Sequence, residues 1–172
     1  TAAQRNGAEF CIAIVSLDRD PAAVDEDEST RKSRLPELAK LIRACMRESD
    51  FVARFGDEEF VVVMPQTKLA GACVFGDRLR GRVQEQMQQT ISCGLAEYQA
   101  NDDGKSLVGR ADSAFYSAKA ARGNRQFVHT GSQIREHRTA GPATTEGEAT
   151  TTATTPVAPL VTIAPFDPPV VV

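Results

Sequence analysis

Two kinds of hydrophobic pattern alternate along most of the chain. The segment FCIAIVSLD, residues 10–18, is a nearly continuous apolar run that ends in a carboxylate, as expected of a buried strand. The runs FVARF and FVVVM flank a Gly-Asp turn signal at residues 56–57 and predict a β-hairpin. Two later apolar runs, TISCGLAEY at 90–98 and RQFVH at 125–129, predict further strands.

Apolar residues recur at helical spacing between these strands. The spacing predicts helices over residues 35–46, 67–86 and 105–121, the first with Pro36 tolerated in its opening turn. The polar stretch DRDPAAVDEDESTRKS, residues 18–33, is interpreted as a solvated loop. Because strands and helices alternate around one hairpin, the pattern favours an α/β sandwich with helices packed on a mixed sheet.

Composition and charge narrow the possible classes of function. The 172 residues are 41% hydrophobic and 25% charged, which suits one globular domain with an appendage. Residues 139–172 contain three acids and no Lys or Arg, so the net charge of −3 arises there and the rest of the chain is balanced. This balance predicts neither a nucleic acid nor an acidic membrane as partner, and the lack of basic surface argues against an RNA-binding sandwich.

The segment 139–172 differs in composition from the rest of the chain. It is rich in Thr, Pro, Ala and Val, has no helical or strand period, and contains six prolines. We therefore expect a disordered tail after a domain that spans residues 1–138. No run of 18 apolar residues occurs, which predicts no membrane contact by this chain and a cytoplasmic location.

The four cysteines stand singly among apolar neighbours, without CxxC spacing or nearby histidines. They are Cys11, Cys45, Cys73 and Cys93. We expect small buried core residues in a reducing compartment rather than disulfides or metal ligands.

Three consecutive carboxylates occupy the turn of the predicted hairpin. Asp57, Glu58 and Glu59 would lie close to Asp18, at the end of the first strand, if the two strands are neighbours in the sheet. Hard divalent cations such as Mg²⁺ prefer oxygen ligands and often share them with substrate phosphates, so the cluster suits phosphoryl or nucleotidyl transfer. The alternative is an acidic turn that is merely well solvated, and spacing alone leaves both open.

The heptad RFGDEEF, residues 54–60, resembles the signature of the GGDEF family of bacterial diguanylate cyclases, written R-aromatic-G-G-(D/E)-E-F. Four other segments resemble further motifs of this family and occur in the family's order. IVSLDRD resembles the strand that ends in Asp-x-Asp, and RESD resembles the RxxD motif of the family's inhibitory site. TISCGLA resembles the T-x-S-x-G-x-A strand, and RADSAFYSAKAARGNR resembles the A-D-x-A-L-Y-x-A-K helix. The likeness covers residues 8–129. It implies a nucleotidyl-cyclase-like fold of the ferredoxin or palm type with an active-site hairpin, and synthesis of cyclic di-GMP from two GTP.

The resemblance also implies roles for individual residues. Asp18, the backbone carbonyl of Arg19, and Glu58 would be ligands of Mg²⁺ or Mn²⁺, and Glu59 would be the second catalytic acid of the hairpin. The remaining nucleotide-binding positions would be Gly56, Asp57, Lys119 and Arg122. Because each subunit of the family holds one GTP, catalysis would need a homodimer.

The nucleotide site departs from the family pattern at several positions. Asp57 replaces the second glycine of the signature, and a like charge at about 4 Å costs on the order of 4 kcal/mol at an effective dielectric near 20. Lys32 stands where the family reads guanine with Asp, and a lysine cannot accept the hydrogen bonds that guanine donates. The preceding loop has no Asn, and Arg122-Gly123 reverses the family's Gly-Arg order. These departures predict weak or absent GTP turnover.

The inhibitory site of the family looks complete in this sequence. Arg47 and Asp50 match its RxxD, and Arg78 matches the arginine that joins them from the next helix. Arginine forks suit phosphates and the guanine Hoogsteen edge, and a carboxylate suits the guanine N–H donors. The alternative is an incidental surface pair at a helix end.

Three functions stay open from the sequence. The first is a degenerate cyclase domain that binds cyclic di-GMP and regulates; the second is a slow diguanylate cyclase; the third is a dimerisation or scaffold module without nucleotide. The family's Leu-Thr-Gly signature is absent before Thr1. We therefore expect part of the family domain, and a sensor or receiver domain, to precede this chain.

Overall fold

The computed structural model describes residues 9–19 and 27–138. Its strands are β1 (Phe10–Leu17), β2 (Phe51–Arg54), β3 (Glu59–Pro65), β4 (Ile91–Glu97), β5 (Gln126–His129) and β6 (Ile134–His137). Its helices are α1 (Glu28–Ser33), α2 (Leu35–Cys45), α3 (Leu69–Met87) and α4 (Gly104–Ala120).

The strands form one mixed sheet in the order β2-β3-β1-β4-β5-β6. Only β4 and β5 are parallel among the neighbouring strand pairs of the described residues. Ser16, near the end of β1, lies opposite Glu59 of β3 on one side and Ser92 of β4 on the other. Asp18 therefore emerges from the sheet between the hairpin turn and the start of β4.

Helices cover both faces of the sheet. Successive residues of β1 alternate between two apolar layers: Cys11, Ala13 and Val15 join the layer that contains α2 and α3, while Ile12 and Ile14 join the layer under α4. Because both faces are buried, β1 needs a continuous apolar run rather than an alternating one. The central strand that carries Asp18 is thus held rigidly.

Gly94 of β4 lets α4 approach the sheet at backbone contact distance. A Cβ atom at this position would lie 2.2 Å from the backbone N of Phe115 and 2.3 Å from the carbonyl O of Ala111. Only glycine leaves room for the helix there, because backbone atoms cannot rotate away. The helix that bears Lys119 is therefore seated directly on β4.

The structure confirms most of the predicted elements. The hairpin, the buried first strand, the three long helices and the strands at 90–98 and 125–129 are all present. The four cysteines are free and buried, as expected. The predicted tail, residues 139–172, lies outside the described residues.

The prediction of a solvated loop over residues 18–33 was wrong in its last part, where α1 forms. Asp27 caps this helix by accepting a hydrogen bond from the Thr30 backbone N at 2.7 Å, and Lys32 pairs with Glu28 one turn apart. None of the α1 residues is buried. The helix is thus set by its cap and an ion pair, which hydrophobic periodicity does not detect.

Strand β6 was also missed by the sequence reading. It has only one large apolar residue, Ile134, which is exposed, so the segment shows no apolar run. Pairing with β5 rather than burial defines this strand. Among the residues that the structure describes, no helix combines the length and the apolar character needed to cross a bilayer.

Candidate functional site

A cleft of about 400 Å³ opens where β1 ends, and it gathers most of the predicted site residues. We call it the β1 cleft; its charged lining residues are Asp18, Arg19, Glu58, Glu59, Lys119 and Arg122. These residues come from the β1 end, the hairpin, α4 and the turn after α4. The neighbouring positions of β1 and β3 in the sheet, expected from the sequence, are what bring the carboxylates together.

Asp18 accepts hydrogen bonds from four donors. They are the Lys119 Nζ at 2.9 Å, the Ser92 Oγ at 2.7 Å, the Thr90 Oγ1 at 2.9 Å and the backbone N of Asn124 at 2.6 Å. Burial alone would raise the pKa of Asp18, but the Lys119 charge and these hydrogen bonds outweigh it and hold the pKa below its usual range. Asp18 is therefore ionised and fixed in orientation.

The turn after α4 wraps closely around the Asp18 carboxylate. Gly123 has a φ of +70°, and a Cβ atom there would lie 2.6 Å from the Asp18 Cγ. Its neighbours Arg122 and Asn124 also have positive φ, at 74° and 49°. Gly123 thus stands where a side chain would displace Asp18, and the reversed Arg122-Gly123 order still leaves Arg122 on the β1 cleft.

Glu58 forms an ion pair with a residue that the sequence reading placed in a loop. The Arg31 Nε, on α1, lies 2.9 Å from Glu58 Oε1, and both side chains are largely shielded, with 20% and 29% exposure. A predicted cation ligand is therefore engaged by a cation of the chain itself. Lys119 does the same for Asp18.

Glu59 is half-buried and lines the β1 cleft, whereas Asp57 is exposed. Burial, and then the negative charge of nearby Asp112, raise the pKa of Glu59. Gly56 allows this position, because a Cβ atom there would lie 3.0 Å from Glu59 Oε2. A raised pKa makes Glu59 a better proton acceptor than an ordinary glutamate side chain.

Three residues that the sequence analysis assigned to the nucleotide site do not line the β1 cleft: Gly56, Asp57 and Lys32. Asp57 is exposed at the tip of the hairpin, where its carbonyl accepts a hydrogen bond from Arg54. Lys32 is exposed on α1, and its Nζ lies 2.5 Å from Glu28 Oε1. The Asp57 and Lys32 side chains therefore lie outside the cleft.

The donor set of the β1 cleft fits a hard divalent cation that arrives with phosphates. No three His, Cys, Asp or Glu side chains in the described ranges 9–19 and 27–138 form a metal centre by themselves. Asp18 and Glu58 nevertheless share the cleft with Arg19. Mg²⁺ commonly uses one or two carboxylates and completes its shell with water and substrate phosphates, so two carboxylates are sufficient.

A second cleft, of about 180 Å³, brings together Arg47, Asp50 and Arg78. We call it the arginine cleft. The backbone N of Arg47 donates to Asp50 Oδ2 at 2.7 Å, and Arg78 donates to the carbonyl of Cys45. Asp50 Oδ1 is buried and has no hydrogen-bond partner within the described part of the chain. The predicted three-residue site is thus assembled, with one acceptor left unsatisfied.

Sequence reasoning missed several residues that shape the β1 cleft. Thr90 and Ser92 belong to a quoted motif, so their hydroxyl spacing was visible, but their contact with Asp18 was not predicted. Arg31 lies in a segment without hydrophobic period and left no usable signal. Asn124 acts through its backbone N–H, which any residue except proline provides.

Comparison with known proteins agrees with this geometry. The family model described as "Diguanylate cyclase, GGDEF domain" matches residues 32–125. The chain is 32% identical over 133 residues to diguanylate cyclase DgcP of Pseudomonas aeruginosa, covering 72% of this chain and 20% of that protein. It is 37% identical over 100 residues to diguanylate cyclase A of Treponema denticola, covering 53% of this chain and 27% of that protein. The chain thus spans less than a third of these relatives' length.

Solved structures share the fold. The GGDEF domain of DgcB from Caulobacter crescentus, in complex with c-di-GMP, superposes with a TM-score of 0.67 at 24% identity, covering 74% of this chain and 82% of that one. The active GGEEF domain of a diguanylate cyclase from Vibrio cholerae gives a TM-score of 0.67 at 23% identity, covering 76% and 89%. These likenesses confirm the nucleotidyl-cyclase-like fold. Since the family model also matches more than half of the chain, the protein belongs to the GGDEF domain family.

Proposed function

We propose that this chain is a GGDEF domain of cyclic di-GMP signalling that binds cyclic di-GMP at the arginine cleft and turns over GTP weakly or not at all. The observation that carries the proposal is the buried, unpartnered Asp50 Oδ1 in a cleft also lined by Arg47 and Arg78. A buried acceptor without a donor is costly unless a ligand supplies one.

The chemistry of the arginine cleft matches a guanine nucleotide. Guanine offers N–H donors that Asp50 can accept, while its Hoogsteen edge and the phosphates offer acceptors for Arg47 and Arg78. Phe75 and Val74 supply apolar lining for a base, and Val74 is 63% exposed. Both polar and apolar parts of the ligand are therefore accommodated.

Weak turnover is supported by the charges around the β1 cleft. Arg31 forms an ion pair with Glu58, so a metal cation must break this ion pair before it can bind the Glu58 carboxylate. Asp57 adds a negative charge at the hairpin tip, and Lys32 cannot accept hydrogen bonds from guanine. Each feature lowers the affinity for a metal-bound guanosine triphosphate.

The β1 cleft retains the groups that a cyclase would use. Asp18, the Arg19 carbonyl and Glu58 would hold Mg²⁺ or Mn²⁺, which when bound would orient the triphosphate and help ionise the attacking 3′-hydroxyl. Lys119 and Arg122 would bind phosphate oxygens, and Glu59 would take up the proton. Because one domain would hold one GTP, a homodimer of domains is part of the proposal.

The domain is proposed to span residues 1–138, with 139–172 as an appended tail. Its last described strand, β6, ends at His137. The matched regions cover only 20% and 27% of these two relatives, which supports an additional sensor or receiver domain in the complete protein. A cytoplasmic location is proposed with it, since the nucleotide is a cytoplasmic one.

Arg47→Ala tests the proposed binding site. We expect the wild-type chain, stripped of bound nucleotide, to bind cyclic di-GMP with micromolar affinity in isothermal titration calorimetry. Loss of a charge-assisted guanidinium contact should weaken binding by roughly 10- to 100-fold. Arg43→Ala is the matched control, because Arg43 is an exposed arginine on α2 that does not line the arginine cleft.

Two results would contradict the binding proposal. Wild-type protein that gives no heat with cyclic di-GMP would leave a slow cyclase or a scaffold without nucleotide. Equal affinities of the Arg47→Ala and wild-type proteins would place the ligand elsewhere on the domain.

The second candidate function is an active diguanylate cyclase, favoured by the convergence of Asp18, Glu58, Glu59 and Lys119 on the β1 cleft. If Arg31 limits this activity, Arg31→Ala should raise Mg²⁺-dependent cyclic di-GMP formation by about fivefold, since an ion pair of this partial exposure contributes about 1 kcal/mol. Product is measured by liquid chromatography. Arg43→Ala is the control, because Arg43 is an exposed arginine on α2 that does not line the β1 cleft. Undetectable product from wild type and Arg31→Ala would exclude the cyclase.

A further inference from the structure

Arg80 of α3 contacts the turn that encloses Asp18, although it does not itself line the β1 cleft. Its Nη2 donates to the Asn124 carbonyl O at 2.8 Å and lies 3.2 Å from the Asn124 Oδ1. The backbone N of the same residue, Asn124, donates to Asp18 Oδ2 at 2.6 Å. One residue thus links Arg80 to the carboxylate proposed to hold the cation.

The turn itself has a conformation that needs support. Arg122, Gly123 and Asn124 are three successive residues with positive φ. Side-chain-bearing residues are disfavoured in this region of backbone space, and such conformations persist only where surrounding contacts hold them. Asp18 holds the turn from within the cleft, and Arg80 holds it from outside.

Arg80 is in turn anchored by an ionic cluster. Its Nη1 lies 3.5 Å from Asp77 Oδ1 on the same helix, and Asp77 Oδ2 lies 3.1 Å from the His137 Nε2 on β6. These contacts fix the guanidinium, whose side chain is only 23% exposed. The helix α3, the strand β6 and the turn after α4 therefore meet at one point.

We propose that Arg80 is a positioning residue for the β1 cleft. By binding both oxygens of Asn124, Arg80 keeps residues 122–124 in their observed conformation. This conformation directs the Asn124 N–H at Asp18 and leaves Arg122 on the cleft. The inference rests on the proposed role of the β1 cleft as a nucleotide phosphate site. It extends that role to a residue that touches neither nucleotide nor cation.

Amide hydrogen exchange of the full chain tests the proposal directly. In Arg80→Ala, the Asn124 amide should exchange at least tenfold faster than in wild type, because its hydrogen bond to Asp18 opens more often. Amides in β1 and β3, which pair with each other within the sheet, should keep their wild-type rates. Arg82→Ala is the matched control, since Arg82 lies on the same helix and donates to the Ala44 carbonyl at 3.2 Å. Arg80→Lys should restore part of the protection.

A second measurement connects the turn with the ligand. Mn·GTP, followed by the electron paramagnetic resonance signal of free Mn²⁺, should bind Arg80→Ala about tenfold more weakly than Arg82→Ala. Cyclic di-GMP affinity at the arginine cleft should be equal in both variants, because neither arginine lines that cleft.

The exchange rates decide the positioning role independently of the proposed function. Asn124 exchange in Arg80→Ala at the Arg82→Ala rate would overturn the inference, as would uniformly faster exchange throughout the sheet. If wild type binds no Mn·GTP, the nucleotide role of the β1 cleft fails, while selective loss of Asn124 protection still supports the role of Arg80 in holding the turn.

Discussion

Gly94→Ala is expected to destabilise the domain by about 3 kcal/mol or more, or to prevent its folding. The new methyl group would stand 2.2 Å from the Phe115 backbone N and 2.3 Å from the Ala111 carbonyl O. Neither neighbour can change rotamer, so α4 must move off β4, and overpacking of this kind costs several kcal/mol. Urea unfolding followed by far-ultraviolet circular dichroism measures the change in the free energy of unfolding.

Gly109→Ala on α4 is the matched control for this substitution. Gly109 is an exposed helical residue, and a Cβ atom there has no neighbour within 4 Å. Replacing a glycine in a helix interior with alanine usually stabilises by about 0.5–1 kcal/mol. A Gly94→Ala protein as stable as wild type would show that α4 does not rest on β4 as described.

Asp18→Asn is expected to lower the free energy of unfolding at pH 7 by about 3 kcal/mol. The substitution removes the negative charge opposite Lys119 and replaces one of the two acceptor oxygens with an NH₂ group, which then faces two of the four donors. Loss of charge-assisted hydrogen bonds to a largely buried group costs about this much. Urea titrations across a pH series measure it.

The pH dependence separates the charge of Asp18 from its shape. Since the folded-state pKa of Asp18 is lowered, its stabilisation is complete above the unfolded-state pKa, about 3.9, and is lost as the pH falls through the folded-state pKa. The difference between wild type and Asp18→Asn should therefore shrink below about pH 4. Glu48→Gln, at an exposed site on the loop after α2, should show no comparable loss. A difference that is constant with pH would contradict the ionic account.

The arrangement of the β1 cleft was predictable because it depends on patterns that are local in sequence. Asp18 ends an apolar run, Glu58 and Glu59 follow a turn signal, and neighbouring strands bring such positions together. The family resemblance supplied Lys119. The fold followed from the same periodicities, since continuous apolar runs and helical spacings define the central strands and the three long helices.

The partners of these residues were not predictable, because they depend on tertiary placement. Arg31 reaches Glu58 from a helix without buried residues. Arg80 reaches Asn124 across 44 positions of sequence, and nothing in either segment indicates the contact. The exposure of the Asp57 side chain depends on the backbone of the hairpin turn, which the sequence does not specify. Turn geometry and contacts between residues far apart in sequence could thus not be predicted from the sequence.

The four free cysteines make the unfolding of this domain observable without any added label. Each lies on a different element: Cys11 on β1, Cys45 on α2, Cys73 on α3 and Cys93 on β4, all at 5% exposure or less. Burial raises the pKa of Cys11 and Cys93 to about 12 and that of Cys73 to about 11, so these thiols carry almost no reactive thiolate while folded. The rate at which a thiol reagent modifies each one therefore reports how often the helix or strand that carries it opens to water.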